Sequence, residues 1–275
     1  MTTFLFWNVN GRDLSQLLAD IVGIEQVDVL ILAEFHGQPA QLLHELHRHD
    51  DGFAFHYTTN NRLAIFSNHP QESIVPLRDS NEGLSIRRFI PPVGEEILLI
   101  AVHLRSKMRL SDDDQGELCN RLRVEIEDAE SQVGHRRTVV VGDLNMNPFE
   151  RGMISAEGLH AVATRRRAMQ ESRKVLGADR FFFYNPMWGS LGDRTSAAAG
   201  TFHYSASRPI EYFWHMFDQV LIRPELLKAF SNEQLRIVTR VGDRSLLASD
   251  GTPDVRIGSD HLPITFQLNL VQAAK

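Results

Sequence analysis

Six groups of polar residues in this chain sit at the ends of short apolar runs. Asn8-Val9-Asn10-Gly11 closes the run that starts at Thr3, and Glu34 follows Val27 to Ala33. His103 ends the run through Ile97, and Gly142-Asp143-Leu144-Asn145 ends the one through Thr138. Asp218 lies inside the run from His215 to Ile222, and Ser259-Asp260-His261 precedes the last one. Taken singly, each group has an ordinary reading. A carboxylate at a strand end is usually a turn former or a helix cap, and an asparagine there a turn residue. Together they hold hard oxygen ligands suited to Mg²⁺, amides that can hold a phosphate, and two histidines to manage charge and protons. A scaffold presents such groups on the loops at its strand ends.

The elements needed to position them are legible in the apolar pattern. Thr3 to Val9, Val27 to Ala33, Arg62 to Ser67, Gly83 to Ile90, Glu95 to His103 and Arg137 to Gly142 read as strands. Leu14 to Gly23 and Pro39 to His49 carry apolar residues at helical spacing, and Asp112 to Val133 reads as a long polar helix with an apolar stripe. In the second half, Ala161 to Leu176 reads as a helix and Pro224 to Phe230 as a short one. Phe181 to Tyr184, Gly200 to Tyr204, His215 to Ile222, Leu235 to Val241 and Leu262 to Leu270 read as strands. No low-complexity linker divides the 275 residues, so one domain over 1–275 is expected, an α/β fold of sheets covered by helices.

Composition narrows the function classes. Lys and Arg number 29 against 35 Asp and Glu, a net charge of −6, which excludes coating of nucleic acid through bulk positive charge but not action on it at a local patch. The single cysteine, Cys119, excludes an internal disulfide and a multi-cysteine zinc site. The longest apolar runs are far short of the ~18–20 residues of a membrane span. The chain opens directly into a strand without a secretory pattern, so an intracellular, cytoplasmic location is expected.

The order Trp7-Asn8-Val9-Asn10-Gly11, Ala33-Glu34, Val102-His103, Gly142-Asp143-Leu144-Asn145, Asp218-Gln219-Val220, Ser259-Asp260-His261-Leu262-Pro263 resembles the endonuclease/exonuclease/phosphatase superfamily. The resemblance runs from residue 4 to about residue 268. It implies a four-layer α-β-β-α sandwich, two mixed sheets face to face with helices outside. It also implies a phosphodiester hydrolase dependent on Mg²⁺ or Mn²⁺, with a site where the strand-end loops of both sheets meet. Carried over residue by residue, Glu34 and Asp260 match the metal-binding carboxylates, and Asn8 the asparagine that supports them. Asp143 matches the aspartate that orients or deprotonates water, and Asn145 the amide that holds the nucleophile or the phosphate. His261 matches the donor to the phosphoryl oxygen, and Asp218 its carboxylate partner. His103 stands where several branches place a phosphate-contacting or leaving-group histidine. Asn10 departs from the apurinic-endonuclease pattern, which has Asp there. An amide is a weaker Mg²⁺ ligand than a carboxylate, so either metal affinity is lower or the site leans towards one metal instead of two.

The substrate is less legible. Ala163 to Arg180 holds Arg165, Arg166, Arg167, Arg173, Lys174 and Arg180 against Glu171 and Asp179. It reads as a contact to a nucleic-acid backbone or, equally, as a solvated helix face. Arg105 and Lys107, with Arg109 close by, form a second basic group after His103. Trp188 and its loop are candidates for substrate contact, although core-facing strand residues explain most of the aromatic run before it. DNA is the expected substrate. A lipid or small-molecule phosphoester is the alternative, and a catalytically silent binding protein of the same fold the third reading.

Overall fold

A computed structural model describes residues 1–107, 110–193, 198–207 and 209–273. Arg109 lies outside them. In chain order the elements are β1 (Thr2–Asn8), α1 (Ser15–Glu25), β2 (Val29–Ala33), α2 (Pro39–Leu46), β3 (Ala54–His56), β4 (Leu63–Ser67), β5 (Ile74–Ser80), β6 (Leu84–Phe89) and β7 (Ile97–His103). There follow α3 (Asp112–Val133), β8 (Thr138–Asp143), α4 (Arg151–Ile154), β9 (Ala161–Val162), α5 (Arg165–Ala168), β10 (Ser172–Val175), β11 (Ala178–Phe181) and β12 (Phe183–Tyr184). The last are β13 (Phe202–His203), β14 (Trp214–His215), β15 (Asp218–Ile222), β16 (Arg236–Ile237), β17 (Arg240–Val241), β18 (Arg244–Ser245), β19 (Ile264–Leu268) and α6 (Leu270–Ala273).

Two mixed sheets dominate. One has the order β16-β19-β1-β2-β4-β3, the other β5-β6-β7-β8-β15-β12-β9. The apolar runs are continuous because central strands are buried on both faces. In β7, Ile97, Leu99 and Ala101 join the core between the sheets, while Leu98, Ile100 and Val102 pack with Cys119, Leu122 and Ile126 of α3. In β8, Val139 and Val141 face the inter-sheet core and Val140 the α3 side. Leu17, Leu18, Ile21 and Val22 of α1 and Leu42 and Leu46 of α2 close the first sheet. The two sheets and their helices form the expected four-layer sandwich.

Local signals explain the element ends. Ser111 and Asp114 form a reciprocal capping box at the start of α3, and Gly134 ends it at φ 77°. The helix expected over Ala161 to Leu176 is not there. Thr164 caps the single turn of α5, and the chain then forms the β10–β11 hairpin. Glu171 and Leu176 adopt positive φ, which interrupts a helix within this range. Pro224 to Phe230 is likewise reduced to one 3₁₀ turn, Pro224–Leu226. Among the described residues, no helix is long and apolar enough to cross a membrane.

Candidate active site

Strand direction decides which residues meet. β1 runs parallel to β2, and β7 parallel to β8, so Asn8, Glu34, His103 and Asp143 all lie at one end of the sandwich. β15 and β19 run antiparallel to their neighbours, so Asp218 and His261 lie at that same end from the starts of their strands. Asp218 is the register partner of Asp143, and His103 is its partner on the other side.

The side chains converge across the two sheets. Asn8 Nδ2 donates to Asp143 Oδ2 at 3.0 Å and approaches Glu34 Oε1 at 3.3 Å. His103 Nε2 lies 3.3 Å from Glu34 Oε1 and 3.8 Å from Asp143 Oδ2. His261 Nδ1 pairs with Asp218 Oδ2 at 2.8 Å, and its Nε2 lies 3.9 Å from Asp143 Oδ2. At 3.8 and 3.9 Å the two imidazole Nε2 atoms face Asp143 without hydrogen bonding it.

Backbone geometry fixes these positions. A Cβ at Gly142 would overlap the Val102 carbonyl oxygen, so only glycine lets β8 approach β7 immediately before Asp143. Glu34 and Asn145 occupy the left-handed region at φ 52° and 51°, conformations that cost an L-residue about 1–2 kcal/mol. Asn145 N–H donates to Asp143 Oδ1 at 2.8 Å, and Asn145 Nδ2 to the Leu104 carbonyl at 3.0 Å. Trp7 Nε1 donates to the His261 carbonyl at 2.8 Å, and the Phe202 ring lies 4.7 Å from the imidazole.

Electrostatics follow from burial and pairing. Burial opposes charge on His261, but the Asp218 carboxylate, helped by Asp143 and Asp260, overcomes it and pushes the imidazole up to about 10. Burial also raises Asp218, so the pair holds one proton through the neutral range, carried by His261. The hydrogen bond from His103 holds the Glu34 carboxyl down to about 2, against its own burial.

The other sequence-identified residues are placed differently. Asp260 is partly buried beside His261, with Ser259 Oγ donating to its Oδ1 at 3.1 Å. Asn10 is an exposed turn residue at φ 47° whose N–H donates to Asn8 Oδ1. Among the described residues, no hydrogen bond joins its side chain to the cluster. Arg105 is exposed next to the site, whereas Lys107 is held by Glu150. Arg165 is committed to the Leu227 and Phe230 carbonyls at 2.6 and 2.7 Å, while Arg166 is exposed. Trp188 packs edge-on against Phe149 at 6.4 Å, away from the central cluster.

Sequence reasoning passed over Arg62. It immediately precedes β4, which runs antiparallel to β2, so it too reaches the catalytic end. Its Nη1 donates to the His103 carbonyl at 3.2 Å. Burial lowers its pKa while the nearby Glu34 and Asp143 charges oppose this. Polar residues at strand starts, and not only at strand ends, were the signal that would have found it.

A divalent cation fits this donor set at Glu34. The carboxylate stays ionised, its side chain is 35% exposed, and Asn8 and His103 both meet Oε1. Among the described residues, no hydrogen bond engages Glu34 Oε2. Asp143, Asp218 and His261 also form a compact potential ligand group. There the Asp218–His261 pair already uses Nδ1, and the imidazole carries a proton, which suits acid–base chemistry better than ligation.

The comparisons with known proteins agree with this architecture. TDP2 from D. rerio, in a structure complexed with single strand DNA product, is 15% identical with a TM-score of 0.57, covering 98% of each chain. The endonuclease domain of TRAS1, a telomere-specific non-LTR retrotransposon, is 11% identical with a TM-score of 0.55, covering 98% of this chain and 99% of that one. A family protein from Beutenbergia cavernae is 19% identical with a TM-score of 0.55, covering 98% of this chain and 71% of that one. No curated protein sequence matches significantly. The family model described as Endonuclease/Exonuclease/phosphatase family matches residues 5–261, and the chain belongs to that family.

Proposed function

We propose that this protein is a Mg²⁺- or Mn²⁺-dependent phosphodiester hydrolase acting on nucleic acid, with DNA as its substrate. The observation that carries the reading is the convergence on Asp143 Oδ2 of Asn8, His103 and His261, with Asp218 behind His261. Attack on a phosphodiester adds negative charge to its equatorial oxygens and requires a water to lose a proton in line with the leaving oxygen. Asp143 accepts that proton, held in orientation by Asn8 and by the Asn145 N–H. His261, kept cationic and aimed by Asp218, donates to a phosphoryl oxygen. Asn145 assists at the phosphate. His103 lies across Asp143 from His261 and serves the leaving oxygen. Glu34 and Asp260 would hold the divalent ion, with Asn8 supporting them and Asn10 at the margin. The ion, when bound, supplies positive charge against the phosphate. Arg105 and Arg62 add positive charge at the rim.

DNA is favoured because one structural neighbour is a complex with single strand DNA product and another is an endonuclease domain. The test is cleavage of supercoiled plasmid, single-stranded DNA, RNA and a generic phosphodiester, each with Mg²⁺, Mn²⁺ or EDTA. Metal-dependent nicking that falls by at least ~100-fold in Asp143→Asn and His261→Ala is expected, the usual effect of losing a general base or a preorganised donor. Cleavage of the generic ester alone, with nucleic acids intact, refutes the nucleic-acid substrate. No cleavage of any substrate refutes the enzyme.

A further inference from the structure

A second polar site lies along the far edge of the larger sheet, set back from the end that carries Asp143. β12 runs antiparallel to β15, and β9 parallel to β12, with Val162 and Tyr184 level with Ile222, so the segments that leave β9 and β12 start at the far end of β15 and head towards the end of Asp143. Between them is a cavity of about 410 Å³ lined by His160, Thr164, Arg167, Arg173, Phe182 and Trp188 among others, with no carboxylate in its wall.

Three features of this cavity point to an anion. Arg167 and Arg173 are exposed, and among the described residues neither forms an ion pair. Arg173 Nε donates to His160 Nε2 at 2.9 Å, and burial together with the arginine's charge holds this imidazole neutral, at about 4. A neutral imidazole acceptor aims the guanidinium without cancelling its charge, which a carboxylate would do. The Trp188 Nε1 donor is buried and, among the described residues, has no acceptor. Buried donors are almost always paired, so an unpaired one in a cavity wall marks a place for a ligand oxygen.

The cavity also connects to the catalytic centre. A row of ring contacts runs from His261 to Phe202, His215, Tyr212, Phe149 and Trp188, each between 4.7 and 6.4 Å. Tyr212 is half exposed, and Phe149 and Trp188 are partly so. From strand spacing and rise, the cavity lies roughly 20–25 Å from Asp143, a span of several nucleotides.

We infer that this cavity is a second phosphate site, which holds a backbone phosphodiester of a single nucleic-acid strand several nucleotides from the one at Asp143. The intervening bases stack on the exposed edge of the aromatic row. The inference rests on the nucleic-acid reading above and adds to it a preference for longer strands. Arg167 and Arg173 grip the phosphate, and Trp188 Nε1 donates to one of its oxygens.

The experiment compares the wild type, Arg167→Ala/Arg173→Ala and Trp188→Phe in EDTA, by anisotropy with labelled single-stranded DNA of 20 and of 3 nucleotides. Loss of the grip on this phosphate should raise the Kd of the 20-mer about tenfold and lower its salt slope by about 0.7, the value per phosphate for a single strand. The Kd of the 3-mer should not move. Trp188→Phe keeps the ring and loses the donor, so it should weaken the 20-mer with the slope intact. The two arginines are exposed, so melting curves should overlay, and the trinucleotide serves as a second check on the fold. An unchanged 20-mer Kd and slope in the double variant overturns the second site while wild-type cleavage of DNA leaves the nuclease reading standing. Equal losses on both lengths also overturn it, because the arginines would then act at or through the catalytic centre. Wild-type protein that neither binds nor cleaves an oligonucleotide overturns both.

Discussion

Replacing Asp218 by Asn tests the electrostatic logic of the site most directly. The substitution keeps the shape of the side chain and removes the two largest influences that raise His261, the charge and the hydrogen bond of the carboxylate. Burial then acts against Asp143 and Asp260 alone. The His261 midpoint, about 10 in the wild type, should fall below about 8. Each pH unit of displacement is worth about 1.36 kcal/mol, so the imidazolium loses roughly 3 kcal/mol of stabilisation. Imidazole ¹⁵N shifts of the metal-free protein between pH 5 and about 10 would read the midpoint directly. Turnover at pH 9 should drop about tenfold, the ratio of the charged fractions for midpoints of about 10 and about 8, with a smaller loss at low pH, where the imidazole is still charged. Stability carries the same signature. The folded pKa lies above the unfolded value of 6.5, so the pairing stabilises the fold fully below 6.5 and is lost as pH rises through about 10. The stability gap between wild type and variant should therefore be largest near pH 6 and narrow towards pH 10. A His261 midpoint within about half a unit of the wild type would refute the assignment of Asp218 as the partner that keeps it charged.

Gly142→Ala forces a methyl group onto the Val102 carbonyl. A cost of about 1–3 kcal/mol is expected, or roughly 3–10 °C in a thermal melt, together with loss of turnover; an unshifted melt would refute the steric argument. Glu34→Gln removes the ionised oxygen donor of the proposed metal site. Calorimetric titration with Mg²⁺ should show binding weaker by about tenfold or more, and an unchanged isotherm would move the ion elsewhere. Arg165→Ala breaks two hydrogen bonds to the 227–230 loop. Stability measured in urea should fall by about 1–3 kcal/mol while nucleic-acid affinity stays constant, which separates this arginine from its neighbours.

Much of this molecule is legible in its sequence, for a physical reason. Strands buried on both faces leave unbroken apolar runs, and polar residues where those runs stop must lie at the ends of the sheets. That logic finds Asn8, Glu34, His103, Asp143 and His261 before any coordinates. It fails where the local signal is charge alone. The arginines after Ala163 look like one helical face, yet Glu171 in the left-handed region divides them between a single turn and a hairpin. Their partners are equally hidden: carbonyls for Arg165, a histidine for Arg173 and Glu157 for Arg180. Arg62 escapes because a residue before a strand reaches the site only if that strand is antiparallel, and strand direction is a property of the sheet.

The position of β19 bears on when the site can exist. This strand, just after His261, lies in the interior of the first sheet, between β16 and β1. During synthesis β1 emerges long before β19 and waits with one edge unpaired until Ile264–Leu268 follow. Only then does β19 insert, and only then does His261 meet Asp218. A nascent chain short of that point has its carboxylates but not its imidazolium.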